Sequence, residues 1–489
     1  MIHKSYSSLL ILSLLWAVVA CTAHKQAHSP TVKVITTTGD RSKEFKTDTL
    51  ALFSADKTTN ANITLKPTEK FQTVYGFGAA ITGSTCYNLM QMSPADRKNF
   101  LTQTFSETEG FGQNYVRVSI GCSDFSLSEY TLCDTKGIDN FALTKEETEY
   151  VIPILKEILA INPKVQIIGS PWTPPRWMKV NNLTDLQPYN HWTSGQLNPA
   201  HYQDYALYFA KWLQAMKDNG LNVNAITIQN EPLNRGNSVS MYMGWDEQLA
   251  FIKSALGKTL HDKGFAEVKI YLFDHNYNYD NMPSQQQYPL HIYKDTEASQ
   301  YITGAAYHNY GGNPDELNNI HNQYPNKELI FTESSIGTWN DGRNLERRLT
   351  EDMQELGVKT LNNHCKAVMV WNLMLDEHGA PNREGGCKTC FGAVDIQTSD
   401  YKTMQRNSHY YVISHLSAVI KQGATRIGVE KTTDDNVQCT AFQNPDGSLA
   451  CVLLNKKKEA THLTLSTGKQ YFSYEVPANS VVSFLIPKI

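Results

Sequence analysis

Between residues 73 and 421 of the chain, short apolar runs alternate with longer stretches whose apolar positions recur every three or four residues. The short runs fall at 74–79, 115–120, 165–170, 225–229, 269–273, 304–308, 328–332 and 367–372. Their length and unbroken hydrophobicity are those of strands buried on both faces. The longer stretches, such as 146–161, 199–217 and 246–263, carry the helical period. Eight strands with intervening helices predict an α/β fold, a parallel (β/α)8 barrel whose chemistry sits at the C-terminal strand ends. An open doubly wound sheet is the competing arrangement, but no Gly-x-Gly-x-x-Gly turn and no P-loop is present.

Both ends of the chain read differently. Runs at 32–35, 50–53, 63–65, 437–442, 449–454, 463–465 and 481–486 are short, separated by turn residues, and almost free of helical period. Neither terminal group has enough strands for a stable sheet alone. Residues 31–72 and 422–489 are therefore expected to pack together as one accessory β-sandwich around the barrel at 73–421. Ahead of them, Lys4 precedes an apolar run at 9–20 that is too short to span a bilayer and has the layout of an export signal over residues 1–20. It ends in Val18-Val19-Ala20-Cys21, which resembles a bacterial lipoprotein cleavage box; an ordinary signal peptide cut nearby is the alternative. The expectation is an exported outer-membrane lipoprotein, lipidated at Cys21, tethered by 22–30, on the periplasmic or the cell-surface face. A lipid anchor would be its only membrane contact.

Composition narrows the partners. With 41% hydrophobic and 19% charged residues among 489, the chain is an ordinary globular protein. A net charge of −4 leaves no basic excess to neutralise phosphates, so nucleic acid is not an expected partner. Nine cysteines are present. Cys439 and Cys451 flank the turn Asn444-Pro445-Asp446-Gly447 at nearly equal distances, which suggests a bridge across a hairpin. Cys387-Lys388-Thr389-Cys390 is a lone CxxC without further ligands and reads as a loop rather than a zinc site.

The strand ends collect the chemistry. Strand four ends in Asn230-Glu231-Pro232 and strand seven in Thr332-Glu333-Ser334; strand two carries Arg117 and leads to Asp124. Strand three runs into Pro171-Trp172, strand six ends in His308-Asn309-Tyr310, and strand eight in Trp371-Asn372. Two carboxyl groups across a cleft are the minimal equipment for cleaving a glycosidic bond, one protonating the leaving oxygen and the other meeting the anomeric carbon. Indole rings suit a pyranose face, and Asn, Asp and His its hydroxyls. A serine hydrolase lacks its Gly-x-Ser-x-Gly here, and a zinc hydrolase its His-Glu-x-x-His. Each residue alone has a bland reading: Trp172 and Trp371 as core aromatics, His308 as a structural histidine, Arg117 as half of a buried ion pair. Their joint placement at one barrel end favours the functional one. No cofactor and no metal is expected.

Taken in order, Gly76-Phe77-Gly78-Ala79-Ala80, Arg117-Val118-Ser119, Ser170-Pro171-Trp172-Thr173-Pro174-Pro175, Gln229-Asn230-Glu231-Pro232, His308-Asn309-Tyr310, Thr332-Glu333-Ser334 and Trp371-Asn372-Leu373 resemble glycoside hydrolase family 30. That family of retaining β-glycosidases includes glucosylceramidases and β-1,6-glucanases, and it combines a (β/α)8 barrel with a β-sandwich built from both termini. The resemblance implies Glu231 as acid/base and Glu333 as nucleophile. It also implies Asp124, Trp172, Asn230, His308 and Trp371 as substrate-binding residues, with Arg117 and Tyr310 supporting Glu333. Asn309 departs from the glucosylceramidase branch, and the stretch 231–238 looks closer to the β-1,6-glucanase branch. The expected activity is endo-β-1,6-glucanase on β-glucan; an exo-acting β-glucosidase or glucosylceramidase-like hydrolase and a non-catalytic glycan-binding lipoprotein are the alternatives. Retention calls for carboxyl groups about 5–5.5 Å apart. It also leads us to expect a raised pKa for Glu231 and an ionised Glu333 held by Arg117.

Overall fold

The computed structural model describes Met1 and residues 31–56 and 59–488. Residues 2–30, with the anticipated export signal beyond Met1, Cys21 and the anticipated tether, lie outside the described residues. Eight parallel strands close into a barrel: β1 (Gly76–Ala80), β2 (Tyr115–Ser119), β3 (Gln166–Ser170), β4 (Ala225–Thr227), β5 (Lys269–Asn276), β6 (Gly304–His308), β7 (Glu328–Glu333) and β8 (Cys365–Asn372). Closure comes from β8 pairing with β1, Ala367 beside Gly76 through Asn372 beside Ala80. Every strand anticipated from the apolar runs is present. The main difference is β5, which continues three residues beyond Phe273 through a bulge.

The barrel is filled rather than hollow. Tyr115, Ile168, Ala225, Tyr271, Ala306, Ile330, Ala367 and Met369 pack inside it, and a second, larger core lies between the strands and the surrounding helices. Among those helices Ile152–Ile161, Tyr202–Asp218 and Trp245–Phe251 with Gly257–Asp262 occupy the stretches that showed helical period. Helix Ser408–Val419 is buried almost throughout because it is covered on two sides. His415 bridges from it to Ser483 at 2.8 Å and to Thr37 at 2.9 Å, tying the barrel to strands from both chain ends.

Those strands form one ten-stranded sheet with Lys46–Ala51 at one edge and Phe53–Ser54 at the other. Only Leu52 separates the two edges in sequence. Since one residue advances the chain by less than about 4 Å, the sheet must curl until its edges meet. Its two arms thus face each other as a sandwich, sharing a core in which Phe472 and Phe484 lie 5.2 Å apart. Strands Thr425–Lys431 and Gln470–Val476, rich in charged and polar residues, had no apolar run to announce them.

The anticipated Cys439–Cys451 bridge is absent. Register places Cys439 opposite Leu453 and Cys451 opposite Ala441, so the two thiols are diagonal neighbours, and both are free. The loop runs from Asn444 to Ser448, one residue beyond the turn read from the sequence, so its centre at Asp446 lies seven residues from Cys439 and five from Cys451. Instead Cys387 is bonded to Cys390.

Candidate active site

Five strand ends converge on one buried carboxylate that the sequence reading passed over. At Phe273 and Asp274 the backbone of β5 has φ of +70°, and the register with β6 slips there. This bulge turns Asp274 inward. Its Oδ2 accepts from Arg117 (2.9 Å), Thr227 (2.6 Å) and Ser170 (3.3 Å), while Oδ1 accepts from Thr332 (2.6 Å) and lies 3.1 Å from Nε2 of His308. Burial opposes its charge, but the Arg117 guanidinium and these donors hold it well below the usual carboxylate range. Arg117 is fully buried and also donates to Asn230 Oδ1 (2.7 Å) and Glu333 Oε2 (2.5 Å). Its guanidinium lies over the rings of Trp172 and Trp371, 4.9 and 5.5 Å from their centroids.

Above this layer stand the two glutamates. Glu333 ends β7 and accepts from Arg117 on Oε2 and from the Tyr310 hydroxyl on Oε1 (2.9 Å). Glu231 follows β4 with φ of +44°, a left-handed conformation uncommon outside glycine, and its N–H is anchored to the carbonyl of Asp274. Its Oε1 faces Nδ1 of His308 at 3.2 Å, and its Oε2 accepts from Asn234 (2.9 Å) and Asn237 (2.6 Å). One oxygen of Glu231, one of Glu333 and a ring nitrogen of His308 lie within 4.8 Å of one another. Among the described residues this is the one such group able to receive a cation. Both nitrogens of His308, however, already point at carboxylates, which suits a protonated ring with no lone pair to offer.

Protonation here is the reverse of what the sequence reading expected. Burial opposes charge on Glu231, but His275, His308 and Asn234 outweigh it and lower it to about 2. Burial, followed by the facing Glu231 charge, leaves Glu333 raised despite His308 and Arg117. Arg117 divides its charge between Glu333 and Asp274, which is why it does not hold Glu333 low. His308 is opposed by burial yet pushed up to about 9 by the Glu333 charge and by its bonds to Asp274 and Glu231. The proton shared by Glu231 and His308 therefore rests on the imidazole.

The cleft of about 270 Å³ is lined by Glu231, Glu333, Asp124, Tyr310, Trp371 and Trp339, among others. Asp124 presents a buried oxygen with no hydrogen-bond partner among the described residues, and burial with the charge of Glu333 raises its pKa to about 7. Asn230 lies at the back of the site, its oxygen on Arg117 and its amide NH2 without an acceptor among the described residues. Two expectations change. His308 is fully buried with both nitrogens spoken for, so it supports Glu231 and does not face a sugar. Trp172 lies behind Trp371, stacked on it at 5.2 Å, and is a wall for that ring and for Arg117 rather than part of the cleft lining. Asp274, Asn234, Asn237 and Trp339 were missed. For Asp274 the signal was the polar Asp274-His275-Asn276 directly after an apolar run.

With this geometry in place, known proteins can be compared. The chain matches the model of the glycosyl hydrolase family 30 TIM-barrel domain over residues 74–420 and that of the family 30 β-sandwich domain over 423–484. It is 32% identical over 440 residues to an endo-1,6-β-D-glucanase of Trichoderma harzianum, covering 86% of this chain and 85% of that one. It is 28% identical over 452 residues to the lysosomal acid glucosylceramidase of Mus musculus, covering 86% and 83%. Among solved structures it resembles the endo-β-1,6-glucanase BT3312, with 59% identity and a TM-score of 0.90 over 94% of this chain and 100% of that one. The protein is a glycoside hydrolase, and it belongs to glycosyl hydrolase family 30 through both its barrel and its sandwich.

Proposed function

We propose that this protein is a retaining endo-β-1,6-glucanase acting by double displacement, with Glu333 as nucleophile and Glu231 as acid/base. The observation that carries the mechanism is the approach of the two carboxylates, oxygen to oxygen within 4.8 Å. Retaining enzymes hold their carboxyls about 5–5.5 Å apart, whereas inverting ones leave roughly 6.5–9.5 Å for a water. The substrate class is supported by the 59% identical structure and by the fungal relatives, all named as endo-1,6-β-glucanases.

The two glutamates differ in their partners. Glu333 is aimed by Arg117 and Tyr310 so that its carboxylate meets the anomeric carbon. Glu231 shares one proton with His308. In the free enzyme that proton sits on the ring; a bound sugar excludes water, disfavours the separated charges and moves it to the carboxyl, which hands it to the leaving oxygen. Glu231 is then a carboxylate still held by the amides of Asn234 and Asn237, beside a neutral His308, the state in which it deprotonates the water that releases the sugar. Asp124 and the NH2 of Asn230 bind hydroxyls of the unit being cleaved, and Trp371 supports its apolar face.

Incubation with β-1,6-glucan is expected to release oligosaccharides longer than the disaccharide, with the β-anomer appearing first by NMR. Glucose as the sole early product would support the exo-acting alternative, and α-anomer would refute retention. Glu333→Gln is expected to lower kcat by at least about 10⁴-fold, since it removes the attacking atom. The run Val18 to Cys21 further supports export and lipidation at Cys21. A Cys21→Ser variant is expected to leave the membrane fraction.

A further inference from the structure

Among the described residues only seven large apolar side chains are exposed, and two of them, Tyr310 and Trp339, line the catalytic cleft. Tyr310 is accounted for by its bond to Glu333. Trp339 is not: it is 52% exposed and makes neither a hydrogen bond nor a ring contact with any described residue. Its ring is nonetheless held. A Cβ on Gly337 would lie 2.0 Å from the indole and 2.3 Å from the Thr389 carbonyl, so the ring rests on the bare backbone of Gly337 and leaves its other face to the cleft. Gly337 pairs antiparallel with Cys390, and the N–H of Thr338 donates to Thr389 at 2.9 Å.

The seat of the ring is thus the segment that the Cys387–Cys390 bond closes, and both cysteines also line the cleft. The same loop is pinned on the opposite side by Arg383. That side chain is buried and donates to Ser123 O (2.8 Å), Glu129 (3.1 Å) and Ser238 (3.2 Å). The loop after β8 therefore spans the mouth of the barrel between two fixed points. Trp371, buried, lies deep in the cleft with the two glutamates, and Trp339, half-exposed, stands at its mouth.

We infer that Trp339 is the stacking platform for a β-glucosyl unit neighbouring the one whose bond is cleaved, and that the Cys387–Cys390 disulfide holds the platform in place. This rests on the glucanase reading above. A flat, half-exposed indole matches the apolar face of a β-glucosyl ring. A 1,6-linkage has one more rotatable bond than a linkage to a ring hydroxyl. The sugar beyond it therefore loses more freedom on binding, and a rigid surface reduces that loss.

Binding and turnover separate the two readings. In the full chain carrying Glu333→Gln, calorimetry with a β-1,6-linked glucotetraose is expected to show about tenfold weaker binding on adding Trp339→Ala, with recovery in Trp339→Phe. In the active protein Trp339→Ala is expected to raise KM on β-1,6-glucan by a similar factor with kcat within about twofold. A thiol reductant, or the paired Cys387→Ser and Cys390→Ser change, is expected to reproduce the weaker binding in the Glu333→Gln protein and to add nothing once Trp339 is alanine. Unchanged binding in Trp339→Ala, or no binding of the tetraose to the parent, overturns the platform. Binding that survives reduction overturns the role of the disulfide. Normal tetraose binding in Glu333→Gln, lost in Trp339→Ala, beside a wild-type protein that does not cleave the glucan, would instead overturn the catalytic reading and leave the platform standing.

Discussion

At the scale of single residues the site is a set of charges whose balance depends on who touches whom. His308 lies between Glu231 and Asp274, and in the proposed double displacement the proton it holds is the one the acid step needs. The pH profile of kcat/KM reports the free enzyme, in which the reactive form has Glu333 ionised and one proton on the Glu231–His308 pair. Activity should fall on the acid side as Glu333 is protonated, above the usual carboxyl range, and on the alkaline side as the pair loses its proton near 9. His308→Asn removes a positive charge that lowers Glu333 and a base that stores the proton. The acid limb should therefore move up and the alkaline limb down, narrowing the bell. A change in height with both limbs fixed would mean that His308 only fills space. Asp274→Asn leaves Arg117 with one fewer charged partner in a fully buried position. Unfolding by denaturant should show a loss of about 3–5 kcal/mol, the cost of breaking a buried pair from one side.

At the scale of elements, the way the strands end decides what the site contains. A regular β5 would send Asp274 and His275 to alternate faces, while the bulge aims Asp274 at Arg117 and brings His275 to 3.9 Å from Glu231. The sandwich hairpin makes the same point about register. Spacing around its turn suggested facing cysteines, yet the observed pairing sets them two residues apart along the ladder. Peptide mapping without reduction should therefore find Cys387 joined to Cys390 and Cys439 and Cys451 as free thiols. A Cys439–Cys451 crosslink in the native protein would contradict the register.

At the scale of the whole molecule, helix Ser408–Val419 is where the barrel and both chain ends meet, and its histidines make the union sensitive to acid. Burial lowers His415 to about 3. It also lowers His409 to about 4, with Asp352 opposing that shift and Arg348 adding to it. The unfolded chain takes up these protons near 6.5, before the native state does, so stability is complete above 6.5 and falls as the pH drops towards 4. Below about 6.5 the unfolding free energy should decline with decreasing pH, and His415→Asn should make that decline shallower by up to about 1.4 kcal/mol per pH unit. An unchanged slope would show that His415 is not buried in the neutral form.

The barrel, the sandwich and the two glutamates were legible because their signals are local. A buried strand is a short apolar run, a covering helix an apolar stripe, and residues at parallel strand ends must share one face of the molecule wherever they lie in the chain. What the tertiary structure alone decided depends on distances between residues far apart in sequence. The lowered pKa of Glu231 follows from His275 and His308, more than forty positions away in the chain. The division of Arg117 between two carboxylates needed the bulge in β5, and the exposed face of Trp339 needed the loop closed by Cys387 and Cys390. Composition and period determine which segments are buried; electrostatic and hydrogen-bonding partners are set by the packing of the segments against one another, and a proton's position is set by those partners.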